Sequence, residues 1–337
     1  MKVHADPGTI LDLIEAFRRS KAMFTAVRLG VFDKLEGEPR TSDQLATELK
    51  VNAGALRRLL NGCVGLRLLR RDGEEYHNTP AASRYLVSTS PDTLAGYIRY
   101  SDASLYVLWS HLDDAVREGT NRWAQTFGSR DGLFDHYFRD EAAAASFLGG
   151  MHGFGQISSR VIVRAFDLGR FHHLVDLGGA TGHLAIAACE AYPNLQARVL
   201  DLAPVERFAR PYIDASPVQD RVQFVPGDFF TQELPKGDLY ALGRILHDWD
   251  EAKITGLLKK ISQSLEPGGG LLIVESLLNE DQSGPVHTLM QDLNMLVCTD
   301  GRERTAAEYR DLLQAAGFSE VRFHRTGLPL DAILAIR

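Results

Sequence analysis

The hydrophobic positions of this chain follow two rhythms, and the change between them falls near residue 165. Before it, apolar residues recur at three-four spacing, the mark of amphipathic helices. Ile10, Leu13, Ile14, Phe17, Phe24 and Val27 lie on one such face, and Thr9 is placed to cap the helix that carries them. The stretch "TSDQLATELKVNAGALRRLLNGCVGLRLLRRDGEEYHNT" (41–79) predicts helix, turn, helix and short hairpin, with Thr41 and Gln44 as a capping box. That order is the outline of a winged helix. From about 98 to 165 the chain is aromatic-rich and helical.

From residue 172 the runs "HHLVDLGG", "ARVLDLA", "RVQFVPGD", "DLYALGRIL" and "GLLIVESLL" are short, rich in Val, Leu and Ile, and separated by helix-like segments. This alternation predicts a parallel, doubly wound sheet. A capping box from Thr305 to Glu308 begins a last helix, and "EVRFHRTG" and "DAILAIR" are spaced as an antiparallel pair. The expected class is therefore α/β. A Rossmann-like doubly wound domain is expected over 166–337, preceded by a mostly helical, winged-helix-containing domain over 1–165. A chain of 337 residues is too long for one ordinary core, which agrees with two domains.

Composition narrows the classes. Hydrophobic content of 45% and charged content of 24% are those of a soluble globular protein. A winged helix raises the possibility of a DNA-binding regulator. However, the net charge is −7, and residues 1–90 carry 14 Lys/Arg against 11 Asp/Glu, a weak basic balance for a groove reader. Arg57 and Arg58 lie on the second helix, but Asn52 to Ala55 offer little to contact base edges. Nucleic acid is not expected as a partner. Cys63, Cys189 and Cys298 show neither disulfide nor zinc spacing, so a reducing cytoplasm is expected. The N-terminal stretch is broken by Asp12 and Glu15 and reads as no signal peptide, and no run is long enough to span a membrane.

In open α/β sheets ligands bind at the carboxyl ends of the strands. Here those ends carry Asp176 with the loop "GGATG" (178–182), then Asp201 with Leu202, then Asp228 with Phe229, then "RILHDW" (244–249), then Glu275. The loop lacks the G-x-G-x-x-G spacing of a dinucleotide site, and no Lys or Arg stands near it. Asp176 would repel phosphate and suit a cation. Asp201 is placed for ribose hydroxyls, and Asp228 with Phe229 for an adenine amine and ring face. An adenosine ligand with a positive charge and no phosphate is S-adenosylmethionine, so Gly178, Gly179, Gly182 and these carboxylates are its candidate site. A helix-capping role for Asp176 alone stays open. His247, beside Asp248 and Trp249, has both a structural and a chemical reading.

These motifs resemble the class I S-adenosylmethionine-dependent O-methyltransferases of the small-molecule type, and among them the acetylserotonin (hydroxyindole) O-methyltransferases. The resemblance rests on "ELK…LLRR", "WSHLDDAVREGTNRWAQTFG", "VDLGGATG", "PGDFF", "LHDW", "EPGGGLLIVESLL", "LNMLV" and "GRERT", and so covers nearly the whole chain. It implies a methyltransferase domain, S-adenosylhomocysteine as product, and no metal. It also implies a homodimer paired through N-terminal helices, which the apolar excess of segment 9–29 supports. The acceptor implied is a small aromatic hydroxyl, a hydroxyindole such as N-acetylserotonin or a related phenol.

The resemblance implies site roles as well. His247 is the general base, a neutral imidazole able to take the hydroxyl proton, with a pKa near about 6.5 if unperturbed. Glu275 and Glu303 are the carboxylates that flank it, one to orient the ring and one to brace it; which does which stays open. Arg244 matches a basic residue near the cofactor's methionine carboxylate. For the acceptor, Met290, Leu293, Asn294 and Val297 share a helix face, and Asn294 reads either as a core amide or as a substrate contact. Tyr106, Phe134, Phe147 and Met151 fall where the family builds an aromatic pocket, and each could equally be core. Ala180 stands where the family loop carries another Gly, and Ala disfavours positive φ. Three other readings stay open: a metal-dependent catechol enzyme, a winged-helix regulator with a methyltransferase-like sensing domain, and an inactive dimerisation scaffold.

Overall fold

The computed structural model describes residues 6–128 and 141–337. The chain divides into two compact units, Met1–Ala103 and Ser104–Arg337.

In the first unit a long helix, Gly8–Leu29, starts behind Pro7. Thr9 lies inside its first turn and does not cap it, because Asp6 takes the Gly8 N–H at 2.9 Å and Pro7 sets the helical entry. Helix, turn, helix and hairpin follow as the pattern predicts. Thr41 and Gln44 close the capping box that opens Ser42–Leu49, and the Asn52 side chain caps Ala53–Gly65. Strands β1 (Arg40–Thr41), β2 (Leu69–Asp72) and β3 (Glu75–Asn78) pair antiparallel in the order β1-β3-β2. Val27, Phe32, Leu45, Leu56, Leu60, Leu69 and Tyr76 are buried together. The first turns of the long helix contribute nothing to that core. Ile10, Leu11, Leu13, Ile14 and Phe17 are each more than half exposed, a larger apolar face than a lone domain leaves in water.

The second unit is built on a seven-stranded sheet. Its strands are β4 (His173–Leu177), β5 (Gln196–Asp201), β6 (Val222–Pro226), β7 (Leu239–Gly243), β8 (Gly270–Glu275), β11 (Glu320–His324) and β12 (Asp331–Ile336), in the order β11-β12-β8-β7-β4-β5-β6. Strands β4 to β8 run parallel, and β12 is antiparallel to β8 and to β11. A separate parallel pair joins β9 (Leu277–Leu278) to β10 (Arg304–Thr305). Strand residues point alternately to the two faces. Leu174, Val199, Ala241 and Leu272 pack with Leu184, Ala209 and Ile213. Val175, Leu200, Tyr240 and Ile273 pack with Ile254, Leu258, Tyr309 and Leu313. Both faces are covered, which is why β8 is buried along its whole length. Chain order reverses between β4 and β7, and the crevice at their carboxyl ends is where such sheets bind ligands.

The units divide at residue 103, not at 165 where the hydrophobic rhythm changes. Residues past 104 are helical yet tied to the sheet-containing unit: Trp109 Nε1 donates to Asn294 Oδ1, Arg122 N to Val297 O, and Trp123 Nε1 to Cys298 O. The helix Glu141–Ile162 packs on the helix His183–Ala191. Rhythm reports local structure and is silent on which unit a helix joins. Among the described residues no helix is long and apolar enough to cross a membrane.

Candidate active site

The parallel run brings Asp176, Asp201, Asp228, the segment after β7 and Glu275 to one edge of the sheet. Strand β7 stops because Arg244 turns to φ 57°, a left-handed conformation costly for a residue with a Cβ. A single 3₁₀ turn, Leu246–Asp248, follows and carries His247 inward. Glu275 holds this turn: its Oε1 accepts the Ile245 and Leu246 N–H groups, each at 3.0 Å. The loop before β10 closes over it. Gly301 has no room for a side chain, since a Cβ there would stand 2.2 Å from the His247 carbonyl oxygen.

His247 Nδ1 lies 2.7 Å from Glu303 Oε1 and 3.3 Å from Glu275 Oε2, and all three side chains are buried. The hydrogen bond to Glu303, with the Glu275 charge beside it, fixes the proton on Nδ1, which leaves Nε2 as the nitrogen able to accept. Asp248 Oδ1 is 3.7 Å from Nε2, too far for a hydrogen bond. Burial pulls the His247 pKa down, but Glu275, Glu303 and Asp248 together outweigh it and push it up to about 10. The ring is thus perturbed well above the ordinary value near 6.5. Burial also raises Glu275, to about 7, with the nearby His247 acting against it. The division left open by the sequence is therefore visible in geometry: Glu303 makes the ring's short hydrogen bond, and Glu275 spends one oxygen on the backbone. The ligand atoms of His247, Glu275 and Glu303 lie within 4.8 Å of one another, a spacing that could also hold a metal ion.

The neighbouring glycine loop is shaped by close approach. Gly178 and Gly182 have φ of 68° and 79°. A Cβ on Gly178 would stand 2.5 Å from Ile245 Cδ1, and one on Gly179 would stand 2.5 Å from Asp176 Oδ2. Ala180 sits at φ 49°, the strained position that the departure from Gly anticipates. Asp176 is buried, its Oδ2 has no partner, and burial followed by the charge of Asp201 raises its pKa to about 7. Asp201 accepts from Ala180 N at 2.8 Å and Leu202 N at 2.7 Å, and burial raises it to about 6. Asp228 takes the Phe230 N–H and the Thr231 hydroxyl, so it shapes its own turn. Phe229 flanks Gly178 and stacks obliquely on Phe230, which meets Trp249 edge-on. A buried carboxylate with one unpartnered oxygen beside the glycine loop fits a cationic ligand, and the second carboxylate, at the end of β5, fits a diol.

Arg244 sits between these two halves. Its Nη1 lies 3.1 Å from Met151 Sδ, and its guanidinium stacks over the Phe154 ring at 5.0 Å. Among the described residues it forms no ion pair, and a guanidinium at this place suits a ligand carboxylate. Of the expected acceptor residues, Met151 is thus brought to the site. Asn294 uses its Oδ1 on the Trp109 indole at 2.9 Å, a partner 185 positions away that no local pattern reveals. Phe147 packs against the sheet core, Tyr106 and Met290 are exposed, and Phe134 lies outside the described residues. Sequence reasoning missed Gly301, and also Thr181 and His152, which bond at 2.8 Å. Gly301 lay within the quoted "GRERT", but only the packing shows why it must be glycine.

Residues 109–319 match the model of the O-methyltransferase domain, and residues 11–88 match that of the O-methyltransferase dimerisation domain. Acetylserotonin O-methyltransferase of Gallus gallus is 44% identical over 97% of this chain and 96% of its own length. That of Homo sapiens is 40% identical over 96% of each. The crystal structure of human N-acetylserotonin methyltransferase in complex with SAM superposes with a TM-score of 0.93 at 38% identity, covering 100% of this chain and 99% of that one. These matches give no support to a DNA-binding regulator. An enzyme that methylates a hydroxyl is what they and the site describe in common, and the chain belongs to the O-methyltransferase family.

Proposed function

We propose that this protein transfers a methyl group from S-adenosylmethionine to the hydroxyl of a small hydroxyindole such as N-acetylserotonin, with His247 as general base. S-adenosylmethionine, when bound, supplies an electrophilic methyl group on a sulfonium, and S-adenosylhomocysteine is what it leaves. The chain's residues fit it. Asp201 and Leu202 stand for the ribose, Asp228 and Phe229 for the adenine, and Gly178, Gly179 and Gly182 for close backbone approach. Asp176 stands for the positive charge and Arg244 for the methionine carboxylate.

The reaction needs a proton removed from the acceptor hydroxyl, whose pKa is near about 10 for a phenol. His247 Nε2 accepts it while Nδ1–H stays bonded to Glu303, as in any oriented catalytic histidine. Glu275 braces the turn that presents the ring. A cation in the adjacent cofactor site opposes positive charge on the imidazole and so favours its neutral, accepting form. For the acceptor, Met151 lies beside Arg244, and Asn294, Phe147, Met290, Tyr106 and Phe134 are the further contacts this reading assigns. The observation that carries the reading is the 2.7 Å pair between His247 Nδ1 and Glu303 Oε1.

Pairing of the exposed faces of Gly8–Leu29 in a two-fold homodimer agrees with the dimerisation-domain match. Three buried, unpaired thiols fit a reducing compartment, the cytoplasm. The test of function is direct. Purified protein with S-adenosylmethionine and N-acetylserotonin should yield the acceptor one methyl heavier by mass spectrometry. An acceptor panel in which only non-aromatic hydroxyls react would overturn the assignment.

A further inference from the structure

The helix Glu141–Ile162 carries polar groups that the reaction above leaves unused. His152 is buried, one residue past Met151. Its Nδ1 lies 2.8 Å from the hydroxyl of Thr181, which is fully buried in the glycine loop, and its Nε2 lies 2.8 Å from the Gln156 amide nitrogen. With the Gln156 amide placed so that its nitrogen faces the ring, Nε2 accepts. The ring proton is therefore on Nδ1 and is donated to the Thr181 oxygen, which leaves the Thr181 hydroxyl hydrogen free for another acceptor. Tyr212 stacks on the imidazole with centroids 3.6 Å apart, fixing its plane.

A second contact of the same kind lies about two turns along the helix. Ser159 Oγ is 2.9 Å from His183 Nδ1, immediately beyond Gly182. Gly155 lets the helix come this close, since a Cβ there would meet the His183 ring at 2.4 Å. Thr181 and His183 thus flank Gly182, and both are held by one helix. Burial, with His183 nearby, keeps His152 neutral down to about pH 3, and burial with Arg244 nearby keeps His183 neutral down to about 4. The clamp therefore persists unchanged at any physiological pH.

We infer that His152 is a positioning residue for the cofactor: as a neutral imidazole it aims the Thr181 hydroxyl and holds the turn Ala180–Gly182 in its binding conformation. The inference rests on the reading that S-adenosylmethionine occupies this loop. Unlike Met151 beside it, His152 touches the loop and not Arg244, so its effect is on cofactor affinity.

Calorimetry with S-adenosylmethionine and S-adenosylhomocysteine tests it on wild type, His152→Phe, Thr181→Val, Thr181→Ser and the double variant His152→Phe/Thr181→Val. Phe keeps the stack on Tyr212, and Val keeps the shape of Thr. Each of these two singles should raise Kd by roughly tenfold or more, as when a buried hydroxyl loses its partner. The double should be no weaker than the worse single, and Thr181→Ser should restore binding. In turnover, the loss should fall on KM for the cofactor and not on kcat. Unchanged Kd in both singles, or losses that multiply in the double, overturns the inference. Failure of the wild type itself to bind either ligand overturns the functional reading instead.

Discussion

His247 Nδ1 and Glu303 Oε1 are 2.7 Å apart and both buried, and this single contact decides which ring nitrogen faces the reaction. With Nδ1 committed to a carboxylate, Nε2 is the nitrogen that can receive a proton. The same carboxylate, together with Glu275 and Asp248, also raises the ring's affinity for a second proton. Orientation is thus gained with a base that is harder to empty.

That link between orientation and basicity gives a pH signature. The accepting form of His247 is the deprotonated one, and its pKa is raised to about 10. The kcat/KM for cofactor, which reports the free enzyme, should therefore climb with pH through neutrality toward 10. Glu303→Gln removes a group that raises the pKa, so the rising limb should move to lower pH. Its maximal kcat should fall about 10- to 100-fold because the ring loses its orienting charge. Rate profiles with superimposable limbs in the two proteins would count against the pair.

Cofactor affinity should depend on pH with the opposite partner in charge. In the free protein Asp176 keeps its proton up to about 7 and Asp201 up to about 6. Groups with raised native pKa add stability that is complete below their ordinary values and is lost as pH rises through the raised ones. A sulfonium reverses this preference, because it favours ionised Asp176. S-adenosylmethionine should accordingly bind more tightly as pH rises from 5 to 8, releasing protons, while the uncharged sulfur of S-adenosylhomocysteine should respond less. Calorimetry in buffers of differing ionisation enthalpy measures both. Identical pH dependence for the two ligands would contradict the role given to Asp176.

At Ala180 the backbone is at φ 49°. Left-handed geometry costs a Cβ-bearing residue about 1–2 kcal/mol, while Gly loses about 0.5–1 kcal/mol more entropy on folding. Ala180→Gly should therefore stabilise the protein by roughly 0.5–1 kcal/mol, visible as a Tm higher by about 1 °C. A lower Tm would show that the loop does not carry this strain.

The long N-terminal helix makes an oligomeric prediction. Leu13 is 65% exposed and Phe17 52%, and both lie on its apolar face. Light scattering of the wild type should give twice the 37.3 kDa chain mass, and Leu13→Asp/Phe17→Asp should give the single chain. A wild type that runs as a monomer at micromolar concentration would remove the homodimer from the proposal.

Much of this site could be read from local pattern. The strand ends at Asp176, Asp201 and Glu275 follow from short apolar runs, and the parallel pairing puts them on one edge. Both capping boxes, at Thr41 and Thr305, appear as their spacing requires. What escaped depends on contacts between distant segments. Gly301 is needed because the His247 carbonyl passes against it, and Thr181 is held by a histidine 29 positions earlier. Asn294 meets Trp109 across 185 positions, and helices after residue 104 join the sheet unit through such bonds. The pKa of His247 escaped for the same reason, since it is set by carboxylates 28 and 56 positions away.

The most direct test is the steady-state kinetics of His247→Ala with S-adenosylmethionine and N-acetylserotonin, run beside calorimetry of cofactor binding and with a chelator arm. Loss of the base should lower kcat by about 10²–10⁴-fold. Cofactor Kd should stay within about threefold, because the imidazole faces the acceptor, and that retained binding also shows the variant is folded. Chelator should leave the wild-type rate unchanged, the His247, Glu275 and Glu303 cluster serving a proton and not an ion. A His247→Ala enzyme that turns over near the wild-type rate while binding cofactor normally would contradict the assignment of His247 as the base.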